Sequence, residues 1–84
     1  MDRDTAIVIF NIKKRNITVD LEIPLNISAN ELVIALNTAY ELGIDTSDIK
    51  NCYLKAENPI ALLKGDKSLA EFGLRNGSEI NYTE

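Results

Sequence analysis

The run from Ile17 to Ile23 alternates strictly between apolar and polar side chains. Successive side chains of a β-strand point to opposite faces, so this run predicts a strand with one buried face and one solvated face. Pro24 follows it and lacks a backbone donor, which suits a strand end. The run 5–12, which comes before it in the chain, is rich in β-branched residues and predicts a central strand. The polar turn 13–16 joins this strand to the strand 17–23. Together they predict an amphipathic hairpin.

A helix is predicted to begin at Ser28, because Ser28 and Glu31 have the S-x-x-E spacing of a capping box. Gly43 is expected to end this helix, since glycine adopts the left-handed conformation at little cost. One face of the helix is expected to pack on the sheet. The residues predicted to form that face are Leu32, Ala35, Leu36, Ala39 and Gly43.

The remainder of the chain predicts three more strands. They are expected at residues 49–56, 60–63 and 78–83, with a short helical turn at 68–72 and a turn at residues 76–77. The whole order is strand, strand, helix, strand, minor strand, helical turn, strand. This order predicts an α+β fold of the β-grasp type, in which a mixed four- to five-stranded sheet wraps one face around a single helix. The first and last strands are expected side by side in its centre.

Size and composition limit the classes of function. The 84 residues predict a single domain spanning 1–84. The net charge of −4 repels phosphate backbones, so no nucleic-acid partner is expected. One cysteine and no histidine exclude an internal disulfide and a structural zinc site, and they favour a reducing cytoplasm. The apolar runs are too short for membrane insertion, and the polar N-terminus does not predict a signal peptide.

The chain lacks the convergent side chains that catalysis requires. It has no histidine, no nucleophile with a neighbouring base and no paired carboxylates, so no enzyme, cofactor or metal is predicted. The segment from Gly65 to Ser68 resembles the end of a phosphate-binding loop but lacks the earlier glycine, and it is predicted to be a turn. Cys52 lies in phase with Leu54 and is expected to be a buried, inert thiol.

Two segments resemble known sequences. The segment 62–82 resembles the ubiquitin signature, which is a turn, a short helical turn with an aromatic residue, and a final strand; 17–24 resembles the second strand of ubiquitin. The phrase Leu21-Glu-Ile-Pro24 before Leu32-Val-Ile-Ala-Leu36 is most similar to the EsaB/YukD family. These are small ubiquitin-like proteins of bacterial type VII secretion systems. The resemblance extends from about Ala6 to Tyr82.

This resemblance implies a non-enzymatic, cytoplasmic accessory protein that supports export by a membrane-embedded ATPase. Related domains in mycobacterial systems are fused to a membrane subunit, which implies a protein partner on the cytosolic side of the membrane complex and a position peripheral to the inner face. The chain ends at Tyr82-Thr83-Glu84 without the Gly-Gly tail of modifiers and sulfur carriers, so neither role is expected. An adaptor role in another bacterial complex remains an alternative, and a homodimer remains open.

The sheet face that does not meet the helix is the predicted docking surface. If Ala6, Val8, Phe10 and Ile12 face the helix, the residues between them point outward, whereas a slip of one residue would reverse this assignment. Tyr53 is expected to point outward, close to the position of the hydrophobic patch of ubiquitin. The candidate protein-binding residues on this face are Ile7, Ile9, Tyr53, Glu79 and Asn81.

Two other surfaces are candidates. The helix flank formed by Val33, Ile34 and Tyr40 is more apolar than a solvated face requires, although a wide core would explain it equally well. The basic run 13–15 at the hairpin tip is either a solvated turn or a contact for an acidic partner.

Overall fold

The computed structural model describes residues 4–83, and within them the elements follow the predicted order. The strands and helix are β1 (Thr5–Ile12), β2 (Ile17–Pro24), α1 (Ala29–Tyr40), β3 (Leu54–Glu57), β4 (Ala61–Leu63) and β5 (Glu79–Tyr82). The strands form one sheet in the order β2-β1-β5-β3-β4. Only the central β1–β5 pair is parallel among the described pairs, so the sheet is mixed. The predicted α+β β-grasp fold is confirmed.

The register of β1 is the predicted one. Its even-numbered side chains are buried, from Ala6 at 3% exposed to Phe10 at 0%, and they belong to a single hydrophobic cluster with residues of α1. The ring of Phe10 lies 5.3 Å from the ring of Tyr40 on the helix, centroid to centroid. The strand therefore faces the helix with its apolar side chains, as its β-branched composition suggests.

The helix α1 begins where the sequence predicts. The hydroxyl oxygen of Ser28 accepts a hydrogen bond of 3.1 Å from the backbone N–H of Glu31, whose carboxylate accepts one of 2.8 Å from the backbone N–H of Ser28. This reciprocal pair is a complete capping box, and it satisfies backbone donors that have no partner within the helix. Neither α1 nor another helix in the described chain has the length and apolar content needed to cross a bilayer.

The predicted end of the helix at Gly43 is wrong. The helix ends at Tyr40, and the left-handed residue after it is Glu41, with φ of 52°. The guanidinium of Arg15 donates hydrogen bonds of 2.6 Å to the carbonyl oxygens of Tyr40 and Glu41. These carbonyls lie at the helix end, where backbone acceptors lack helical partners, so the arginine acts as a C-terminal cap. Arg15 belongs to the 3-10 helix Lys13–Arg15 and is therefore not merely part of a solvated turn.

The buried face of α1 is also rotated from its predicted position. Ala35 and Ala39 are exposed, whereas Val33 is fully buried and Tyr40 is half-buried. The larger side chains bury more apolar area, and they set the orientation of the helix over the sheet. The apolar helix flank therefore belongs mostly to the core, and only Ile34 of its three residues is exposed. The buried helix residues are Ala29, Leu32, Val33 and Leu36.

Strand β3 begins at Leu54, five residues later than predicted, because residues Thr46–Asn51 form a 3-10 helix that is kinked at Asp48. The carboxylate of Asp45 starts this helix by accepting hydrogen bonds from the backbone N–H of Ser47 at 3.1 Å and from its hydroxyl at 2.6 Å. Both hydrogen bonds lower the pKa of Asp45, because they favour its ionised form, and the bond from the Ser47 hydroxyl has the larger effect. The inward phase of Cys52 and Leu54 is confirmed, because both are buried.

The connection between β4 and β5 contains the predicted turns. Within residues 68–72, the backbone N–H of Phe72 donates to the carbonyls of Ser68 at 3.3 Å and Leu69 at 3.1 Å. The turn at Asn76 is attached to the first strand, because the backbone N–H of Ile7 donates to the side-chain oxygen of Asn76 at 2.8 Å. These bonds carry the chain back into the centre of the sheet as β5.

Candidate docking surface

The face of the sheet opposite α1, here called the open face, is organised in rows of neighbouring side chains. One row crosses all of the strands and consists of Thr18, Asn11, Asn81, Lys55 and Leu62. The adjacent row consists of Asp20, Ile9, Glu79 and Glu57. Side chains opposite each other on paired strands are close enough to interact, so each row is a set of neighbours.

Ile7 and Ile9 point outward at one end of the open face. Ile7 is 52% exposed and Ile9 is half-buried. Their partners on β2 are Glu22 and Asp20, and Glu79 lies beside Ile9 on β5. This end of the open face therefore combines apolar side chains with several carboxylates.

Tyr53 is exposed on the same face, with 45% of its surface accessible. It lies two residues before Lys55, and Lys55 pairs with Asn81 in the row that contains Asn11. Because β3 runs antiparallel to β5, Tyr53 lies beyond this row, on the side away from Ile7. Six residue levels separate the two side chains, which corresponds to about 20 Å along the strand direction. Tyr53 instead borders a groove of about 420 Å³ together with Asn81 and Thr83. The candidate residues thus share one face, but Tyr53 and Ile7 do not form one patch.

A polar ladder separates the two ends of the open face. The side-chain amide of Asn11 donates a hydrogen bond of 2.7 Å to the side-chain oxygen of Asn81, and the hydroxyl of Thr18 donates one of 2.8 Å to the side-chain oxygen of Asn11. The same Asn11 amide lies 3.4 Å from the carboxylate of Glu79. Asn81 is only 6% exposed and Asn11 only 8%, so their amides are almost covered. Asn81 therefore offers little area to a partner and mainly orders its neighbours.

Sequence reasoning missed three side chains of this face. Asn11 interrupts the apolar run of the first strand, and that interruption was the available signal. Ile60 and Leu62 are 90% and 48% exposed beside strand β3. Four consecutive apolar residues occupy positions 60–63, and a strand cannot direct all of them to one face. That run was the signal for outward apolar side chains.

Cys52 is buried below Tyr53, as predicted, with 6% of its surface exposed. Its sulfur lies 3.4 Å from the carbonyl oxygens of Asp45 and Asp48. Loss of solvation raises the pKa of the thiol, and the negative charges of Asp48 and Asp45 raise it further. A protonated thiol is a poor nucleophile. Within residues 4–83, no group of three or more Cys, Asp or Glu side chains is placed to hold a metal ion.

The fold defines a ubiquitin-like β-grasp domain, and solved structures agree. The C-terminal ubiquitin-like domain of mouse tubulin-specific chaperone e has a TM-score of 0.72 at 11% identity, covering 100% of this chain and 92% of that one. The ubiquitin-like domain of tubulin-binding cofactor B has a TM-score of 0.73 at 18% identity, covering 95% and 89%. The ubiquitin-like domain of the Mycobacterium tuberculosis type VII secretion system protein ECCD1 has a TM-score of 0.53 at 21% identity, covering 95% and 98%.

The family model described as WXG100 protein secretion system (Wss), protein YukD, matches residues 7–81. The chain therefore belongs to the YukD family, and the resemblance found in its sequence is confirmed. It is an accessory ubiquitin-like secretion protein. No curated protein sequence matches it.

Proposed function

We propose that the chain is a non-enzymatic docking module of the WXG100 secretion system and acts through its open face without being conjugated. The exposed apolar side chains of this face carry the proposal. The helix covers one side of the sheet, whereas Ile7, Tyr53 and Leu62 on the other side are each at least 45% exposed. Apolar side chains exposed among polar ones on one face are typical of surfaces that bind proteins.

The chemistry of the side chains supports a role without catalysis. The chain contains no histidine, the residue that most often transfers protons near neutral pH. The thiol of Cys52 is buried, and its raised pKa keeps it protonated. Acidic side chains outnumber basic ones by 13 to nine, which disfavours nucleic acid as a partner.

The partner that we propose is a protein on the cytosolic side of the secretion membrane complex, so the domain acts in the cytoplasm at the inner face of the membrane. The likeness to a domain of a type VII secretion protein supports this assignment. The proposed contacts are those that the sequence predicts on the open face. Ile7, Ile9, Tyr53 and Glu79 contribute surface, and Asn81 positions its neighbours.

A photoreactive phenylalanine derivative in place of Tyr53, introduced in the native bacterium, tests partner and surface together. The matched control places the same residue at Ala39, which is exposed on α1, away from the open face. The proposal expects capture of a membrane subunit of the secretion system from position 53 only. Capture of another bacterial complex would instead establish the adaptor role. Equal capture from both positions, or none from the folded protein, would overturn docking through this face.

A secretion assay tests the same proposal without crosslinking. The double substitution Tyr53→Ala and Ile9→Ala removes side chains from both ends of the open face. We expect secretion of the system's substrates to fall while the circular dichroism and the unfolding midpoint of the purified domain stay close to those of the wild type. Normal secretion by the folded double variant would contradict the role of this face.

A further inference from the structure

Ile60 has the greatest exposure of the large apolar side chains in the described chain. It is 90% exposed, whereas the next such side chain, Ile7, is 52% exposed. It lies in the turn between β3 and β4, directly before Ala61. An isoleucine left in water forgoes the free energy that burial of its side chain would provide. A side chain this exposed is therefore a candidate anchor for a partner.

The turn that carries Ile60 is attached firmly to the core. The hydroxyl of Ser78, a fully buried residue, donates a hydrogen bond of 2.6 Å to the carbonyl oxygen of Asn58. The same hydroxyl oxygen accepts a hydrogen bond of 3.0 Å from the backbone N–H of Arg75. The turn also packs closely against the next connection, because a Cβ atom added at Gly73 would lie 3.4 Å from the ring of Pro59. Such attachment lowers the entropy that a partner must remove when it binds.

Ile60 and Leu62 border a recess on the open face, here called the β4 recess. Its volume is about 470 Å³. Leu62 is 48% exposed and lies opposite Lys55 on β3. The residues around the recess include Lys13, Lys55, Glu57, Ile60, Leu62 and Asn81.

The β4 recess has the opposite charge balance to the protein as a whole. The chain carries a net charge of −4, but the recess has two lysines, Lys13 and Lys55, against one carboxylate, Glu57. Asp20 and Glu22 lie beside Ile9 and Ile7 on the β1–β2 side of the open face, and Glu79 lies between Ile9 and Glu57. Complementary charges favour correct partners and reject like-charged ones. The recess therefore fits apolar side chains that are accompanied by carboxylates.

We propose that the β4 recess binds a short protein segment that combines aliphatic and acidic side chains. Its aliphatic side chains pack between Ile60 and Leu62, and its carboxylates approach Lys55 and Lys13. This inference rests on the proposed docking function and adds the part of the open face that binds and the chemistry of the segment. Binding weakens as salt concentration rises, because the lysines are exposed and screened by ions.

Selection from a library of random phage-displayed peptides on the purified domain tests this inference. We expect enriched peptides to combine Leu, Ile or Val with Asp or Glu. The double variant Ile60→Ser and Leu62→Ser should bind them at least about tenfold more weakly, as expected when central apolar anchors are lost. The matched control is Ile34→Ser, which removes an exposed isoleucine from α1, on the opposite side of the sheet, and should bind normally.

Charge reversal provides the sharper comparison. The double variant Lys13→Glu and Lys55→Glu should lose the acidic peptides and select peptides rich in Lys or Arg. The inference is overturned if no peptides are enriched, if they lack acidic residues, or if the Ile60→Ser and Leu62→Ser variant binds them normally. It is also overturned if sedimentation shows a dimer that this variant abolishes, because a second copy would then occupy the recess.

The secretion complex separates this inference from the function on which it rests. If wild type and the Ile60→Ser and Leu62→Ser variant co-purify equally with the membrane complex, docking stands and the β4 recess is not its site. If neither wild type nor the variant co-purifies, the docking function fails, and the peptide selection alone decides whether the recess binds acidic segments. Loss of co-purification by the folded variant alone supports both.

Discussion

The side-chain amide of Asn11 donates a hydrogen bond of 2.7 Å to the side-chain oxygen of Asn81 across the central parallel strand pair. Both residues are buried although they lie on the open face. The hydroxyl of Thr18 extends the bonding to the neighbouring strand at 2.8 Å. A buried polar group costs free energy when it loses its partner, so the replacement of one residue of this ladder should destabilise the fold.

The substitution Asn11→Ala is expected to lower the free energy of unfolding by about 1–3 kcal/mol, because the side-chain oxygen of Asn81 loses its donor. The double variant Asn11→Ala and Asn81→Ala should lose less than the sum of the two single variants, since the shared bond is counted twice in that sum. Urea unfolding followed by circular dichroism measures these differences. Thr83→Ala, at an exposed position, is the control, and strictly additive losses would contradict the coupling.

The substitution Arg15→Met is expected to lower the free energy of unfolding by about 1 kcal/mol, because Tyr40 and Glu41 lose the donor to their carbonyl oxygens. Amide hydrogens in the last turn of α1 should exchange faster. Arg15→Lys should restore only part of the loss, since a lysine cannot reproduce the planar fork of donors. Lys13→Met on the same turn is the control. Unchanged exchange in the Arg15→Met variant would show that this cap is unimportant.

The capping box of α1 predicts a loss of about 1 kcal/mol for Ser28→Ala, because the backbone N–H of Glu31 loses its acceptor. Ser28→Asp should retain most of the stability, since aspartate is also a good N-cap and its charge favours the positive end of the helix. Thermal and urea unfolding of the three proteins provide the comparison. If Ser28→Ala and Ser28→Asp were equally stable, the cap would not be the cause.

The buried thiol of Cys52 predicts a dependence of stability on alkaline pH. Its pKa is raised above the ordinary value of 9.0, so above that pH the unfolded chain releases the proton before the folded chain does. The contribution of this group is therefore complete below pH 9.0 and declines as the pH rises toward the pKa of the folded state. The free energy of unfolding should fall more steeply in this range for the wild type than for Cys52→Ala. Parallel curves would contradict the prediction.

The same burial predicts slow modification of Cys52. Iodoacetamide reacts with the thiolate, and both the raised pKa and the low exposure of the sulfur oppose this reaction in the folded protein. Mass spectrometry should show rapid modification in concentrated urea and little in native buffer over the same time.

The sequence predicted the features that depend on neighbouring residues. Alternation gave the faces of β2 and the outward direction of Ile7, and the spacing of Ser28 and Glu31 gave the start of the helix. These signals are local because a strand repeats every two residues and a cap spans one turn. The order of elements was therefore sufficient to predict the β-grasp fold.

The predictions that were wrong depend on distant or competing contacts. The helix ends early where Arg15, 25 residues before Tyr40, supplies a cap that no local pattern indicates. The start of β3 is delayed because Asp45 bonds to Ser47 and forms a 3-10 helix where propensity favoured a strand. The separation of Tyr53 from Ile7 depends on the register between β3 and β5. That register is set by pairs of residues far apart in the sequence, so no local pattern indicates it.

The position of β5 has a consequence for synthesis of the protein. This strand comes last among the described elements, yet it lies between β1 and β3. Until residue 82 has left the ribosome, the β1–β2 and β3–β4 hairpins lack the strand that pairs with both of them. The buried side chain of Ile80 is then also missing from the core. Pairing between distant segments is slow and leaves apolar surface uncovered while it is awaited. The domain is therefore expected to acquire its fold only after translation of this strand, in one late cooperative step.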